Sequence, residues 1–366
     1  MRKQTIDHRL QTADKMRYAF VFHSAFITLH SALSAVFLVM LLTLSSCFKE
    51  KPLAPPNTTG IGQTTVIEMG PEYSNQYFYS LKTNSVITQN SRFAYDLLFE
   101  CNTNRFNVWL NTSKFMSAVK TNKTDLKTVT ISDTAGLDFH FELGAFDTDS
   151  SALGIWWDTL VTAPSTDERV YIISLGRLAD GTMAGFVKMK FNNFVGDAYS
   201  VSFCGISDTA YQTVYVQKDD TRNYRYLSFS TGATVDNIEP DKTTWDLCFT
   251  RYTVLFYDPY LPYEVTGVLN NPYKVQAYMD STVNFSSMTI SDFNTNRLLT
   301  RRDAIGYEWK TLTCTLGNGC YDMNPEFIYF IKADESEYYK LRFFQFDKYV
   351  GGLAQHGYPG FEFVRL

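Results

Sequence analysis

Residues 95–99 read Tyr95-Asp-Leu-Leu-Phe99, and residues 245–249 read Trp245-Asp-Leu-Cys-Phe249. The two stretches lie 150 residues apart, and both are rich in aromatic and aliphatic side chains that favour strands. A stricter match is Thr130-Ile-Ser-Asp133, which recurs in full as Thr289-Ile-Ser-Asp292. Self-similarity at a nearly constant offset indicates a duplicated structural unit.

Four further pairs of similar segments keep the same order along the chain. They are Thr65–Ile67 with Thr213–Tyr215, Ser80–Asn84 with Ser228–Gly232, Tyr171–Ile173 with Tyr329–Ile331, and Lys188–Phe191 with Lys340–Phe343. The number of residues that separates the members of a pair varies slightly between pairs, and loop insertions and deletions account for this variation. The sequence therefore predicts two tandem copies, residues 63–206 and 207–366, each of an ordinary domain size.

The composition favours strands over helices. The chain has 24 Tyr and 29 Phe, residues typical of pleated, half-buried surfaces. Segments such as Val187–Phe191 and Lys340–Phe344 largely alternate apolar and polar residues, which predicts strands with one buried face. Turn dipeptides separate such segments, and long runs of helical period are absent beyond residue 46. We therefore expect an all-β fold with short helical turns only.

The amino terminus has the pattern of an export signal. Arg17 precedes a long apolar stretch that ends in Leu44-Ser-Ser-Cys47. This ending resembles the lipobox of bacterial lipoproteins, in which the cysteine is lipidated and becomes the first residue of the mature chain. We expect residues 1–46 to be a signal peptide, with Met16 as the true start, and Cys47 to be the lipidation site. The alternative is an uncleaved anchor, for which the apolar stretch is barely long enough.

The residues after Cys47 predict a tether and a location. Residues 47–62 are rich in Pro, Gly and polar side chains, which is typical of a flexible linker. We expect the chain to be exported and held by its lipid at the outer membrane, with the folded part exposed at the surface. The partner predicted from this segment is the membrane itself.

Charge argues against nucleic acid as a partner. The whole chain has a formal net charge of −5, and residues 47–366 hold 28 basic against 36 acidic residues, a net charge near −8. Phosphate binding needs a basic surface, and no basic run is present.

The second copy resembles the HmuY family. The resemblance covers nearly all of residues 207–366 and is weaker in the first copy. The residues that carry it are Tyr226-Leu-Ser-Phe-Ser-Thr-Gly232, Thr244-Trp-Asp-Leu-Cys-Phe-Thr-Arg-Tyr252, Val265-Thr-Gly-Val-Leu-Asn270, Tyr338-Tyr-Lys-Leu-Arg-Phe343 and Gly357-Tyr-Pro-Gly-Phe-Glu-Phe363.

This resemblance implies two tandem HmuY-like β domains on a surface lipoprotein that grips haem between finger-like loops with two axial histidines. The family's ligand positions should fall near Asn294–Arg302 and just after Trp309, and neither place holds a histidine. Beyond residue 46 the only histidines are His140 and His356. The resemblance therefore implies a haem-type ligand, and haem, a haemoprotein or an outer-membrane receptor as partner, whereas the residues argue against two-histidine ligation within one domain.

Methionine can serve as an axial haem ligand in place of histidine. Met279, Met288 and Met323 lie in the second copy, and Cys314 lies near the second expected ligand position. Our candidate cofactor-binding residues are Met288, Cys314 and Met323. The alternative for each methionine is a flexible filler of the core.

The cysteines predict one candidate disulfide and no metal site. Cys314 and Cys320 flank Thr-Leu-Gly-Asn-Gly, a flexible turn that would close a small bridged loop. Cys101 and Cys248 occupy neighbouring positions of equivalent strands, so we expect them to be buried and far apart. No C-x-x-C motif is present, which argues against structural zinc.

The sequence favours a binding protein over an enzyme. Two histidines beyond the leader and no nucleophile-elbow or phosphate-loop motif leave no candidate catalytic residue. Acid pairs such as Asp147 with Asp149 fit polar loops better than a glycosidase site. We therefore expect a non-enzymatic lipoprotein that binds haem or a related flat apolar ligand. The alternatives are an adhesion or complex-forming protein that has lost haem binding, and carbohydrate binding by exposed Tyr and Trp.

Overall fold

The computed structural model describes residues 62–157, 166–313 and 321–366. Within these ranges all regular secondary structure is β-strand or short 3-10 turn. The predicted all-β fold is therefore confirmed. None of these residues belongs to a helix that is long and apolar enough to span a bilayer. The strands are β1 Gln63–Val66, β2 Asn75–Ser80, β3 Ser85–Ser91, β4 Leu97–Glu100, β5 Val108–Leu110, β6 Ser117–Lys120, β7 His140–Phe141, β8 Val170–Ser174, β9 Phe186–Phe191, β10 Ala198–Gly205, β11 Gln212–Gln217, β12 Tyr224–Ser228, β13 Ala233–Val235, β14 Leu247–Tyr257, β15 Tyr260–Asn270, β16 Gln276–Asp280, β17 Lys310–Leu312, β18 Tyr321–Met323, β19 Ile328–Asp334, β20 Glu337–Val350 and β21 Leu353–Arg365. The 3-10 turns are Thr112–Lys114, Leu126–Thr128, Ile131–Thr134, Thr148–Ser150, Ile290–Asp292 and Thr295–Arg297.

Two large antiparallel sheets have the same order of elements. One runs β11-β10-β9-β8-β6-β7 and the other runs β1-β21-β20-β19-β16. Each strand of the second sheet corresponds to the strand at the same position in the first sheet. The separation of each such pair along the chain is that of the repeated sequence segments. The short pairing of β7, where Ala118 faces His140, is matched by an isolated bridge between Ala277 and Leu299.

Two four-stranded sheets repeat in the same way. Their orders are β13-β12-β4-β5 and β3-β2-β14-β15. A small additional sheet pairs β17 with β18. The described strands thus form two similar sets, each with one large and one four-stranded sheet.

The hydrogen bonding crosses the boundary predicted between the two copies. Strands β1 to β3 pair with β14 and β21, while β12 pairs with β4. We call β4 to β13 the inner module, and β1 to β3 with β14 to β21 the outer module. The hydrogen-bonded units therefore differ from the predicted repeats 63–206 and 207–366, because the opening strands of each repeat join the sheets of the other. Equivalent strands offer the same backbone groups, so such an exchange costs little.

Each module has its own aromatic core. In the outer module Trp309 stacks on Phe343 with ring centroids 4.1 Å apart, and in the inner module Trp156 stacks on Phe191 at 4.2 Å. All four side chains are buried. The repeat thus preserves a packing contact as well as a strand order.

The four-stranded sheets face each other between the modules. Phe78, Cys248 and Leu269 of the outer module line a cavity of about 20 Å³ together with Leu98 and Tyr226 of the inner module. The side chain of Thr253 also donates to the carbonyl oxygen of Thr112 across this interface at 2.8 Å.

A buried carboxylate fixes an exchanged strand in each module. Asp246 precedes β14, accepts a hydrogen bond from the amide of Leu81 after β2 at 2.7 Å, and pairs with Lys274 at 2.7 Å. In the inner module Asp96 accepts from the amide of Phe229 after β12 at 2.7 Å and pairs with Lys114. Each aspartate thus holds together segments more than 130 residues apart.

The repeated Thr-Ile-Ser-Asp segment forms the same capped turn twice. The carboxylate of Asp133 accepts from the amide of Thr130 at 2.8 Å, and that of Asp292 accepts from the amide of Thr289 at 2.8 Å. Both are capping boxes, in which the first and fourth residues satisfy each other's backbone amides. This reciprocal bonding gives a physical reason for the full identity of the two segments.

Candidate functional site

An open cleft of about 1440 Å³ lies between the two modules. The inner module contributes residues 100–109 and 143–150 to its walls, and the outer module contributes residues 252–257 and 296–308. Segments of both modules therefore form the cleft.

Gly144 allows the inner wall to approach the outer module. Its amide donates to the carbonyl oxygen of Thr253 in β14 at 2.9 Å. A β-carbon at this position would lie 2.3 Å from the ring of Tyr252, so only glycine fits without movement.

The opposite wall is held against β15. Gly306 and Val268 exchange two backbone hydrogen bonds, of 2.9 and 3.1 Å, and Gly306 has a φ of +69° that suits glycine. Four residues earlier, the carbonyl oxygen of Arg302 accepts from the amide of Asn270. These bonds place the Arg302 side chain at the floor of the cleft.

The floor is a layered stack. The guanidinium of Arg302 lies over the ring of Phe146 at 4.2 Å. Phe146 in turn lies parallel to Trp109, with centroids 4.7 Å apart and an interplanar angle of 1°. Tyr224 meets Phe146 edge-on at 5.8 Å. Cation–π and offset aromatic contacts of this kind are favourable and hold the rings in place.

Three polar atoms beside this stack have no hydrogen-bond partner in the described part of the chain. They are Trp109 Nε1, the Tyr252 hydroxyl and Arg302 Nε. Trp109 is 3% exposed and Tyr252 is 0% exposed, and all three residues line the cleft. Buried polar groups normally find a partner, so these atoms indicate where a ligand would be recognised. Burial raises the pKa of Tyr252 well above its usual range, which keeps its hydroxyl neutral and able to donate.

The charges of the cleft almost cancel. Six Lys and Arg side chains line it, against five Asp and Glu. Arg105, Arg297 and Arg301 pair with nearby carboxylates, and Arg222 donates to the carbonyl oxygen of Glu239. Arg222, Lys242 and Arg302 are the cleft cations for which the described residues provide no ion pair.

One predicted ligand segment does reach the cleft. Asn296 and Arg302, from the range Asn294–Arg302, line it, and so does Met279. Of the three candidate cofactor-binding residues, Met288 is buried among Tyr278, Phe285 and Phe330, while Met323 is half-buried against the core of the outer module. Neither lines the cleft.

Several predicted residues cannot be placed. Cys47, Cys314 and Cys320 lie outside the described residues, as do the signal peptide and nearly all of the tether, so lipidation and the disulfide stay predictions. Cys101 and Cys248 are buried free thiols in different modules, and Cys204 is also free. Within the described ranges, no three His, Cys, Asp or Glu side chains are grouped as a metal site.

The two histidines lie in different modules and away from the cleft. His140 is exposed in β7. His356 bonds Asp347 at 2.6 Å and lies against Phe346 and Tyr321. The structure therefore does not bring them together.

The described residues of the cleft do not provide the two histidine ligands of a haem site. None is a histidine, the non-histidine ligand types present are Met279, Cys101 and tyrosines, and the raised pKa of Tyr252 opposes a tyrosinate ligand at that residue. Charged and polar side chains also replace the apolar clamp that a porphyrin requires.

Sequence reasoning did not find the floor of the cleft. Trp109, Phe146 and Tyr252 are ordinary aromatic residues of strands and loops, and no spacing links them to Arg302. The one usable signal was Arg302 itself, at the end of the segment where the family resemblance placed a ligand.

Comparisons with known proteins add a structural likeness. No family model matches the chain, and no curated protein matches it. The crystal structure of an apo HmuY analog from Tannerella forsythia is similar at 14% sequence identity and a TM-score of 0.15. That likeness covers 37% of this chain and 88% of the other.

Proposed function

We propose that this chain is an exported, lipid-anchored binding protein without catalytic chemistry of its own, and that its ligand occupies the cleft between the modules. The lipid on Cys47 would hold it at the outer membrane, and residues 48–62 would form the tether. This part of the proposal rests on the sequence pattern at residues 44–47.

The observation that carries the binding proposal is the floor of the cleft. A preformed stack of Arg302, Phe146 and Trp109 lies beside buried polar atoms that lack partners. Pockets that combine aromatic surface with a few convergent polar groups are typical of ligand sites. Haem stays an alternative ligand because the sequence resemblance implies it, although the described lining does not favour it.

A second function, adhesion or complex formation, is favoured by the tips of two long hairpins. Tyr260 and Leu261 are exposed at the β14–β15 tip, and Tyr349 and Leu353 at the β20–β21 tip. Gln63, the first residue of β1, pairs with Phe363, about ten residues along β21 from its tip. The β20–β21 tip therefore lies at the far end of β21 from this pairing, where a partner could reach it.

Filling the cleft should weaken binding of any ligand that uses it. Thr300 is exposed and lines the cleft. We expect Thr300→Trp to lower the affinity at least tenfold, because the indole takes space that the ligand needs. Thr124→Trp, at an exposed position outside the cleft, is the matched control.

The measurement is the thermal shift of the full chain, purified in detergent, with haem, a panel of oligosaccharides and a panel of short peptides. A ligand at 100 times its Kd stabilises the folded state by about 2.7 kcal/mol, which a melting curve detects. Equal shifts in both tryptophan variants, or no shift with any probe, would count against a binding site in the cleft.

Lipid attachment is tested separately. We expect radiolabelled palmitate to enter the wild-type protein in a bacterial host, and Cys47→Ser to abolish the label and release the protein from the membrane fraction. Labelling that persists in Cys47→Ser would contradict the predicted anchor.

A further inference from the structure

We propose that the ligand of the inter-module cleft is an oligosaccharide. This inference rests on the proposed function, because it names the chemistry of the same site. Its argument comes from the size of the cleft, its aromatic surfaces and its charge balance.

The size of the cleft indicates an extended ligand. Sites for single small molecules usually measure about 300–1000 Å³. The cleft is larger, at about 1440 Å³, and it is open to solvent. A chain of several sugar rings could follow its length while each ring stays partly hydrated.

Two tyrosines of the cleft present their rings to solvent. Tyr257 is 78% exposed at the end of β14, and Tyr273 is 55% exposed after β15. A tyrosine ring offers a flat apolar face and a polar hydroxyl. The C–H faces of a sugar ring can stack on the former while its hydroxyl groups bond to the latter. The ammonium of Lys242 lies 4.7 Å from the Tyr273 centroid and would extend this polar surface.

The charges of the cleft suit hydroxyl groups better than a highly charged ligand. Six basic and five acidic side chains line the cleft, and three of the basic ones are paired with carboxylates, so the cleft has little net field. Paired carboxylates and guanidinium groups still offer planar acceptors and donors. The unpaired Arg302, the Trp109 indole and the neutral Tyr252 hydroxyl add donors at the floor.

The same observations disfavour other ligands. A polyanion would need an excess of basic residues, which neither the cleft nor the chain provides. The described lining offers haem no histidine ligand. A peptide would also find hydrogen-bond partners here, and the experiment separates it from a sugar.

The test is a glycan array probed with the full chain in detergent, followed by calorimetry with the free glycan that binds best. We expect Tyr257→Ala and Tyr273→Ala each to lower the affinity about fivefold to tenfold, since each removes one stacking surface. Both residues are exposed, so folding should be unchanged. Tyr211→Ala and Tyr215→Ala remove similarly exposed tyrosines outside the cleft and should have no effect.

The outcomes separate this inference from the proposed function. A glycan that binds wild type and both controls but binds the two cleft variants less tightly supports the inference. Glycan binding that is equal in all variants overturns it, because the sugar then lies elsewhere. Haem or a peptide that binds in place of glycans and is blocked by Thr300→Trp overturns the inference but leaves the proposed function intact. No binding of any probe overturns both.

Discussion

Replacing Asp246 with alanine will lower the free energy of unfolding by about 3–5 kcal/mol, the usual cost of breaking a buried ion pair by removing one partner. Asp246 is 2% exposed, and its carboxylate bonds both Lys274 and the amide of Leu81. The variant leaves a mostly buried ammonium and a buried amide without their acceptor. Leu81 follows β2 and Asp246 precedes β14. Loss of the hydrogen bond between them therefore also weakens the attachment of β2, one of the exchanged strands.

The measurement is urea unfolding of the full chain followed by tryptophan fluorescence. Asp96→Ala, the equivalent change in the inner module, should cost a similar amount because Asp96 bonds Lys114 and Phe229 in the same way. Glu335→Ala breaks the exposed pair with Lys332 and should change stability by less than about 1 kcal/mol. A loss at Asp246 no larger than that at Glu335 would show that the carboxylate does not fix the strand.

Replacing Glu142 with glutamine will remove a large part of the pH dependence of stability. Glu142 is 1% exposed, accepts from the amide of Leu110 at 3.1 Å, and precedes the cleft wall that contains Gly144. Burial raises the pKa of Glu142 to about 8 from an ordinary value of 4.5. The folded protein therefore keeps a proton on Glu142 at pH values where the unfolded chain has lost it.

The direction of the effect follows from this difference in proton binding. Below pH 4.5 the carboxyl group is protonated in both the folded and the unfolded state, so it contributes no pH dependence to the free energy of unfolding. As the pH rises from there to about 8, the raised pKa of Glu142 makes stability fall, because the unfolded state releases the proton first. At about 1.4 kcal/mol per pH unit, the loss from this group is roughly 3–5 kcal/mol over the window.

The check is chemical denaturation at a series of pH values from 4 to 9. Glu142→Gln should flatten the decline relative to wild type, since glutamine does not titrate. Glu72→Gln, at an exposed position, is the control and should keep the wild-type profile. Identical slopes for wild type and Glu142→Gln would refute a raised pKa for Glu142.

Local features of this protein could be predicted from its sequence. The alternation in Lys340–Phe344 predicted a strand, and β20 covers it. The repeated Thr-Ile-Ser-Asp segment forms the same capping box at Thr130 and at Thr289, because a capping box depends only on side chains three residues apart. Short-range chemistry of this kind does not depend on the rest of the fold.

The geometry of the cleft could not be predicted from the sequence in the same way. The segment Asn294–Arg302 was chosen by family resemblance, and it does reach the cleft. Its partners Phe146 and Trp109 come from the other module, however, and nothing in their sequence context connects them with Arg302. Met288 and Met323 were chosen for their ability to bind iron, but the first is buried in the core and the second packs against it, which suits their shape and flexibility.

The sequence by itself determined an all-β chain with a repeated order of strands. Only the tertiary structure decided which strands pair, and hence that the opening strands of each repeat complete the sheets of the other. The physical reason is that backbone hydrogen bonds are the same for every strand, so a repeated pattern allows either partner. Contacts between the modules, such as the bond from the amide of Gly144 to the carbonyl oxygen of Thr253, then bring the walls of the cleft together.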